Sequence, residues 1–110
     1  EILRGVDLTL SPSHVVAGQD VSMVFRVRPE QGVEPYLGAW GHMLAASADL
    51  VDMTHNHPIA AADSSGGAGK DIQFNMAFPR AGMYRVWVQF QRLGIVNTVA
   101  FDVPVEEALR

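Results

Sequence analysis

Apolar and polar residues alternate along most of this chain with a period of two, the spacing that sends successive side chains to opposite faces of an extended strand. The cleanest run is residues 21–28, with Val21, Met23, Phe25 and Val27 on one face and Ser22, Val24, Arg26 and Arg28 on the other. The same pattern predicts a first strand over residues 3–10, ended by Ser11-Pro12-Ser13, and a later one in which Ile72, Phe74 and Met76 alternate with Gln73 and Asn75. Beyond the turn at Phe78-Pro79-Arg80-Ala81-Gly82, Tyr84, Val86, Val88 and Phe90 alternate with Arg85, Trp87, Gln89 and Gln91, and Leu93-Gly94 leads into a last strand over residues 95–105. In the middle, residues 29–35 read as a loop, 37–47 as a strand opened by Gly38 and Gly41, and 49–58 as another strand. The two glycines point to a bulge or a close backbone approach.

A short helix is the alternative over Leu44-Ala45-Ala46-Ser47-Ala48, because most of these residues favour helix. Residues 59–71 hold the low-complexity segment Asp63-Ser64-Ser65-Gly66-Gly67-Ala68-Gly69, which reads as a mobile loop. Residues 106–110 read as a frayed helical turn or a chain end. About seven short strands without a strong helical period predict an all-β fold, an immunoglobulin-like antiparallel β-sandwich forming one domain over residues 1–110. Gly82-Met83-Tyr84 resembles a tyrosine corner, in which the hydroxyl bonds backbone across the preceding loop.

Composition narrows the function classes. Of 110 residues 48% are hydrophobic and 18% charged, with a net charge of -4 and a single lysine, so the basic footprint of a nucleic-acid binder is missing. No apolar run reaches the roughly 20 residues of a membrane span. Without cysteine there are neither disulfides nor thiolate ligands. The chain begins at Glu1 rather than Met, as expected of a processed chain from which a signal peptide or membrane anchor has been removed.

Candidate chemistry concentrates in Gly41-His42-Met43 and Met53-Thr54-His55-Asn56-His57-Pro58, which hold three of the four histidines and two of the five methionines. In an extended segment His55 and His57 share a face with Met53, while Asp52, Thr54 and Asn56 take the other, solvent-facing or hydrogen-bonded. A hairpin across Ser47-Ala48-Asp49 sets position 42 opposite roughly position 54, within reach of His55. Three neutral nitrogens with a fourth position open suit zinc and copper alike, and a thioether in that position favours Cu(I). Met53 is the preferred sulfur donor; Met43 faces away from His42 in a regular strand and serves only if the Gly41 region bulges. Asp52, Asn56 or a carbonyl would brace a ligating imidazole.

The other candidates take ordinary readings. His14, in a turn with no donor nearby, is a surface residue, and Met23 and Met76 are core filler. Trp40 and Trp87 are buried or rim aromatics, although an indole beside the site would shield Cu(I) from water. No Ser/His/Asp arrangement is suggested, Gly66-Gly67-Ala68-Gly69-Lys70 lacks the spacing of a phosphate loop, and no general base stands ready to help a metal-bound water. The chain therefore reads as a binding domain rather than an enzyme.

The runs Glu34-Pro35-Tyr36-Leu37-Gly38-Ala39-Trp40-Gly41-His42, His55-Asn56-His57-Pro58 and Phe78-Pro79-Arg80-Ala81-Gly82-Met83-Tyr84-Arg85-Val86-Trp87-Val88-Gln89-Phe90 resemble the YtkA-like, heavy-metal-associated β-sandwich domains of secreted bacterial proteins. These domains are often found beside copper-handling genes. The resemblance spans residues 20–103 or so and implies an immunoglobulin-like fold, a periplasmic or otherwise extracytoplasmic location, and His42, His55 and His57 as the shared histidines. The chain departs from the family in Met43, Met53 and the Ser/Gly loop, which bear on the choice of metal. The expectation is a domain that binds one copper ion, Cu(I) or Cu(II) with zinc as the alternative, for buffering, transfer or resistance, with a copper-handling envelope protein as its partner. A metal-free interaction module of a larger envelope protein is the competing expectation.

Overall fold

The computed structural model describes residues 5–64 and 69–109. Ten strands are found among them: β1 (Gly5–Ser11), β2 (Val15–Val16), β3 (Asp20–Arg28), β4 (Val33–Glu34), β5 (His42–Ser47), β6 (Met53–Asn56), β7 (Ala60–Asp63), β8 (Lys70–Ala77), β9 (Gly82–Arg92) and β10 (Ile95–Glu106). They form a four-stranded sheet in the order β1-β3-β8-β7 and a six-stranded sheet in the order β2-β10-β9-β5-β6, with β4 paired to the end of β9. All pairings are antiparallel except the short β2–β10 one. The predicted all-β sandwich is the architecture observed.

The alternation dictates this packing. Val21, Met23, Phe25 and Val27 of β3 and Ile72, Phe74 and Met76 of β8 turn one face inward, against Val86, Val88 and Phe90 of β9 and Val103 and Val105 of β10. Phe25 meets Phe74 edge-on at 5.6 Å and Phe101 at 5.6 Å. Burying each such side chain contributes roughly 1.5–3 kcal/mol, so these two faces hold the layers together. The tyrosine corner is present: the Tyr84 hydroxyl donates to the Arg80 carbonyl at 2.9 Å and accepts from the Arg80 amide at 3.3 Å.

The differences from the sequence pattern are local. β2, β4 and β7 span two to four residues, too few to show a period, and exist because longer neighbours template them. The predicted strand over 37–47 is half as long. Leu37 and Gly38 adopt positive φ of 52° and 83°, and Tyr36 and Ala39 exchange backbone hydrogen bonds across them, which makes a tight hairpin-type turn. The helical alternative over 44–48 gives way to strand because β5 lies between β6 and β9 and both of its edges are hydrogen-bonded. Strand β7 precedes the predicted Ser/Gly loop and overlaps it only at Asp63; residues 65–68 of that prediction lie outside the described residues, as do residues 3 and 4 of the first strand. Residues 107–109 form neither helix nor strand.

Candidate metal centre

Gly41 immediately precedes β5, and the glycine is there for space. A Cβ at this position would sit 3.1 Å from the Gln89 carbonyl oxygen of β9 and 3.5 Å from Ile72 of the opposing sheet. This is the close backbone approach that the sequence suggested, whereas Gly38 serves the turn. His42 follows, 6% exposed, on the outer face of the six-stranded sheet. Its Nε2 lies 2.7 Å from the carbonyl oxygen of Tyr36, the residue that begins the tight turn, and the Tyr36 ring meets the imidazole edge-on at 5.5 Å. A carbonyl only accepts, so Nε2 carries the hydrogen and the neutral ring presents its lone pair at Nδ1. A ligating histidine is braced in this way, by donating its second nitrogen to a carbonyl.

The hairpin register differs from the predicted one. β5 and β6 pair Met43 with Asn56, Leu44 with His55, Ala45 with Thr54 and Ala46 with Met53. Continuing by one residue sets His42 across from His57 rather than from position 54, because the connection is longer than the predicted three-residue turn. Ser47 and Asp52 close it, with the Asp52 carbonyl accepting from the Ser47 amide at 2.9 Å and Leu50 in the left-handed region at φ 61°. The shift of three residues still delivers the histidines to one place. His55 is diagonal to His42, and Pro58 keeps His57 extended, so 55 and 57 stay on one face.

The three imidazoles cluster tightly. Ring centroids are 5.6 Å apart for His42 and His55, which are nearly parallel, 5.3 Å for His42 and His57, and 5.0 Å for His55 and His57. One nitrogen from each lies within 4.8 Å of the others, and no further group of this kind occurs among the described residues. Two nitrogens bound to one ion at about 2.1 Å can be at most about 4.2 Å apart, and about 3.4 Å apart in a tetrahedral site. His42 is fixed by burial and its carbonyl; His55 and His57 are exposed and free to swing inward by the remaining ångström. The donor set therefore fits a three-nitrogen site with an open position.

The methionines separate. Met43 is 0% exposed and belongs to the hydrophobic core, on the other face of β5 from His42, so it is not one of the clustered donors. Regular pairing on both sides of β5 leaves no bulge to turn it outward. Met53 is 63% exposed and shares the outer face with His55, one row further from His42 and His57.

Of the three suggested braces the carbonyl is the one in place. Asp52 accepts from Arg80 Nε at 2.6 Å instead. Asp49 accepts from the Ser47 hydroxyl at 2.6 Å, from the Val51 amide and from Arg80 Nη2, which holds its carboxyl down to about 2. The Arg80 guanidinium thereby ties the β5–β6 loop to the tyrosine corner. Thr54 and Asn56, expected to face solvent or a partner, point inward, where Thr54 Oγ1 and Asn56 Oδ1 are buried with no hydrogen-bond partner among the described residues.

Trp40 borders the site. With His57, Pro58 and Ile59 it lines a cavity of about 340 Å³, and Lys70 Nζ stands 3.9 Å over its ring. Trp87 is separated from His55 by Leu44 in the same row of the sheet. His14 is remote, near Glu106 at 3.7 Å. The contribution that sequence reasoning missed is the Tyr36 carbonyl; its signal was Leu37-Gly38, a turn pair just before the histidine.

No curated protein matches the chain. Residues 1–107 match the model of a domain family of unknown function, DUF8832, and the chain belongs to that family.

Proposed function

We propose that this domain binds one copper ion through His42, His55 and His57 and buffers it or passes it on outside the cytoplasm. The observation that carries the reading is the convergence of three imidazoles around one that is already oriented: His42, buried, with Nε2 held by the Tyr36 carbonyl. Two exposed ligands beside one fixed ligand suit a site that takes up and releases its ion, since exchange needs only side-chain rotation. The absence of thiolates leaves nitrogen, with the Met53 thioether as an optional soft donor, and that pair of donor types favours copper over zinc. The extracytoplasmic setting rests on the resemblance to YtkA-like domains.

The test is the metal content and affinity of the purified protein beside a His42→Ala, His55→Ala, His57→Ala variant. Wild-type protein retains one copper and the variant none; equal retention by both would end the proposal. Competition with zinc at fixed pH and the electron-spin spectrum of the Cu(II) form decide the metal. A bound ion at about 100 times its Kd raises stability by about 2.7 kcal/mol, so the melting temperature should rise with copper in the wild type alone.

A further inference from the structure

We infer that β6 is a metal-locked strap: without an ion the segment 53–58 lifts from the edge of the six-stranded sheet, and an ion held by His42, His55 and His57 closes it. The weakness of the strap is a property of the chain alone, whereas the lock rests on the metal reading above.

β6 is four residues long and ends its sheet, with β5 as its neighbour. Pro58 has no amide with which to extend the ladder. No residue of β6 joins the hydrophobic core, to which the central strand β9 gives Tyr84, Val86, Val88 and Phe90. Met53 and His55 are exposed, so closing β6 buries mainly its other two side chains, and both are polar. Thr54 lies across from Ala45 and Asn56 from Met43, neither of which has a side-chain donor. Thr54 Oγ1 and Asn56 Oδ1 are buried without a partner among the described residues, and each recovers water when the strand opens. An orphaned buried oxygen of this kind shifts an opening equilibrium by about tenfold. What opposes the shift is the backbone ladder to β5.

Both ends of the strap are pinned. The Asp52 carbonyl accepts from the Ser47 amide and its carboxylate from Arg80, while the Ile59 amide donates to the Gln73 carbonyl of β8 at 2.8 Å. The opening is confined between these anchors, a local event of the kind from which binding segments are drawn. The ligands are divided across the same joint. His42 is fixed on β5, and His55 and His57 travel with the strap. An open strap leaves the ion one ligand, so the ion binds the closed form and shifts the equilibrium toward it. Occupancy is thereby displayed as the presence or absence of a strand at the edge of the sheet.

The test is native-state amide hydrogen exchange followed residue by residue, in chelator and with zinc. The Ser47 amide bonds the Asp52 carbonyl, and alternation along the ladder then turns the Thr54 and Asn56 amides toward β5. In chelator these two should exchange at least about 100-fold faster than the Val86 and Val88 amides of β9, with rates that low denaturant hardly changes while the β9 rates rise. Zinc at about 100 times its Kd should slow them about 100-fold. Thr54→Val should slow them about tenfold in chelator, and Thr54→Ser, which keeps the hydroxyl, should not. Exchange in chelator as slow as in β9, rates that climb with denaturant in parallel with β9, or no effect of Thr54→Val would each overturn the strap. Fast exchange that persists with zinc bound at the three rings would overturn the lock. Fast exchange in a protein that binds no zinc or copper would overturn the metal reading and the lock with it.

Discussion

The outer faces of the two sheets solve the same problem in opposite ways. On the four-stranded sheet, Asp7, Arg26 and Asp71 form one row, with Arg26 donating to both oxygens of Asp71 at 2.8 and 3.1 Å and Arg28 reaching Asp7 at 3.1 Å. Gln73 donates to Ser22 at 2.9 Å in the neighbouring rows. The charges of that row are paired with their neighbours and meet water, the ordinary outer face of a sandwich. The six-stranded sheet presents Leu44, Ala46, Met53, Met83, Trp87 and Ala100 outward, with three histidines at one corner. Apolar side chains there stand next to three histidines that could hold a metal ion, which sets this face apart from the ordinary one.

The contrast can be broken most strongly at the histidines. His42→Ala should lower copper affinity by well over 100-fold, more than the 10- to 100-fold typical of losing only a brace, measured by titration against a competing chelator. Arg26→Ala on the other sheet should leave it unchanged. Gly41→Ala comes next: its Cβ would press the Gln89 carbonyl at 3.1 Å, costing about 1–3 kcal/mol in denaturant unfolding and weakening metal binding by displacing His42. Met43→Leu and Met53→Leu sharpen the distinction between the faces of one hairpin. The first, in the core, should change stability by less than about 1.5 kcal/mol and metal affinity not at all. The second should leave stability and Zn(II) affinity intact while lowering affinity for Cu(I).

The smallest effect is in the loop that carries the hairpin. Asp49 has a folded-state value of about 2, below the ordinary 3.8, chiefly through the Ser47 hydroxyl. A depressed carboxylate stabilises the fold above its ordinary value and loses that contribution as pH falls from about 4 toward 2. Acid unfolding of Asp49→Asn should therefore be less steep across that window than in the wild type, with no difference at neutral pH beyond the lost hydrogen bonds.

The sheets were legible in the sequence because one inward face per strand suffices to write a period of two, as in Val21-Met23-Phe25-Val27. What the period does not encode is register, which depends on loop closure: the turn predicted at Ser47-Ala48-Asp49 is longer because Ser47 and Asp52 pair and Arg80 grips both Asp49 and Asp52. The three histidines were legible through their spacing, and survived the register error because another histidine, His57, replaced position 54 as the residue opposite His42. Met43 is excluded by strand parity alone, once regular pairing is seen on both sides. The Tyr36 carbonyl was not legible, since backbone acceptors have no letter, and the inward turn of Thr54 and Asn56 ran against their polarity.

The most direct test of the central claim is a titration of the protein with zinc, a diamagnetic stand-in for copper, followed through the ring nitrogens of all four histidines by long-range proton–nitrogen correlation spectra. His14 serves as the internal control. The account predicts that His42, His55 and His57 change together and saturate at one ion per chain, with His42 binding through Nδ1 and keeping its proton on Nε2, while His14 is unaffected. Independent changes at the three rings, or a response at His14 equal to theirs, would contradict it.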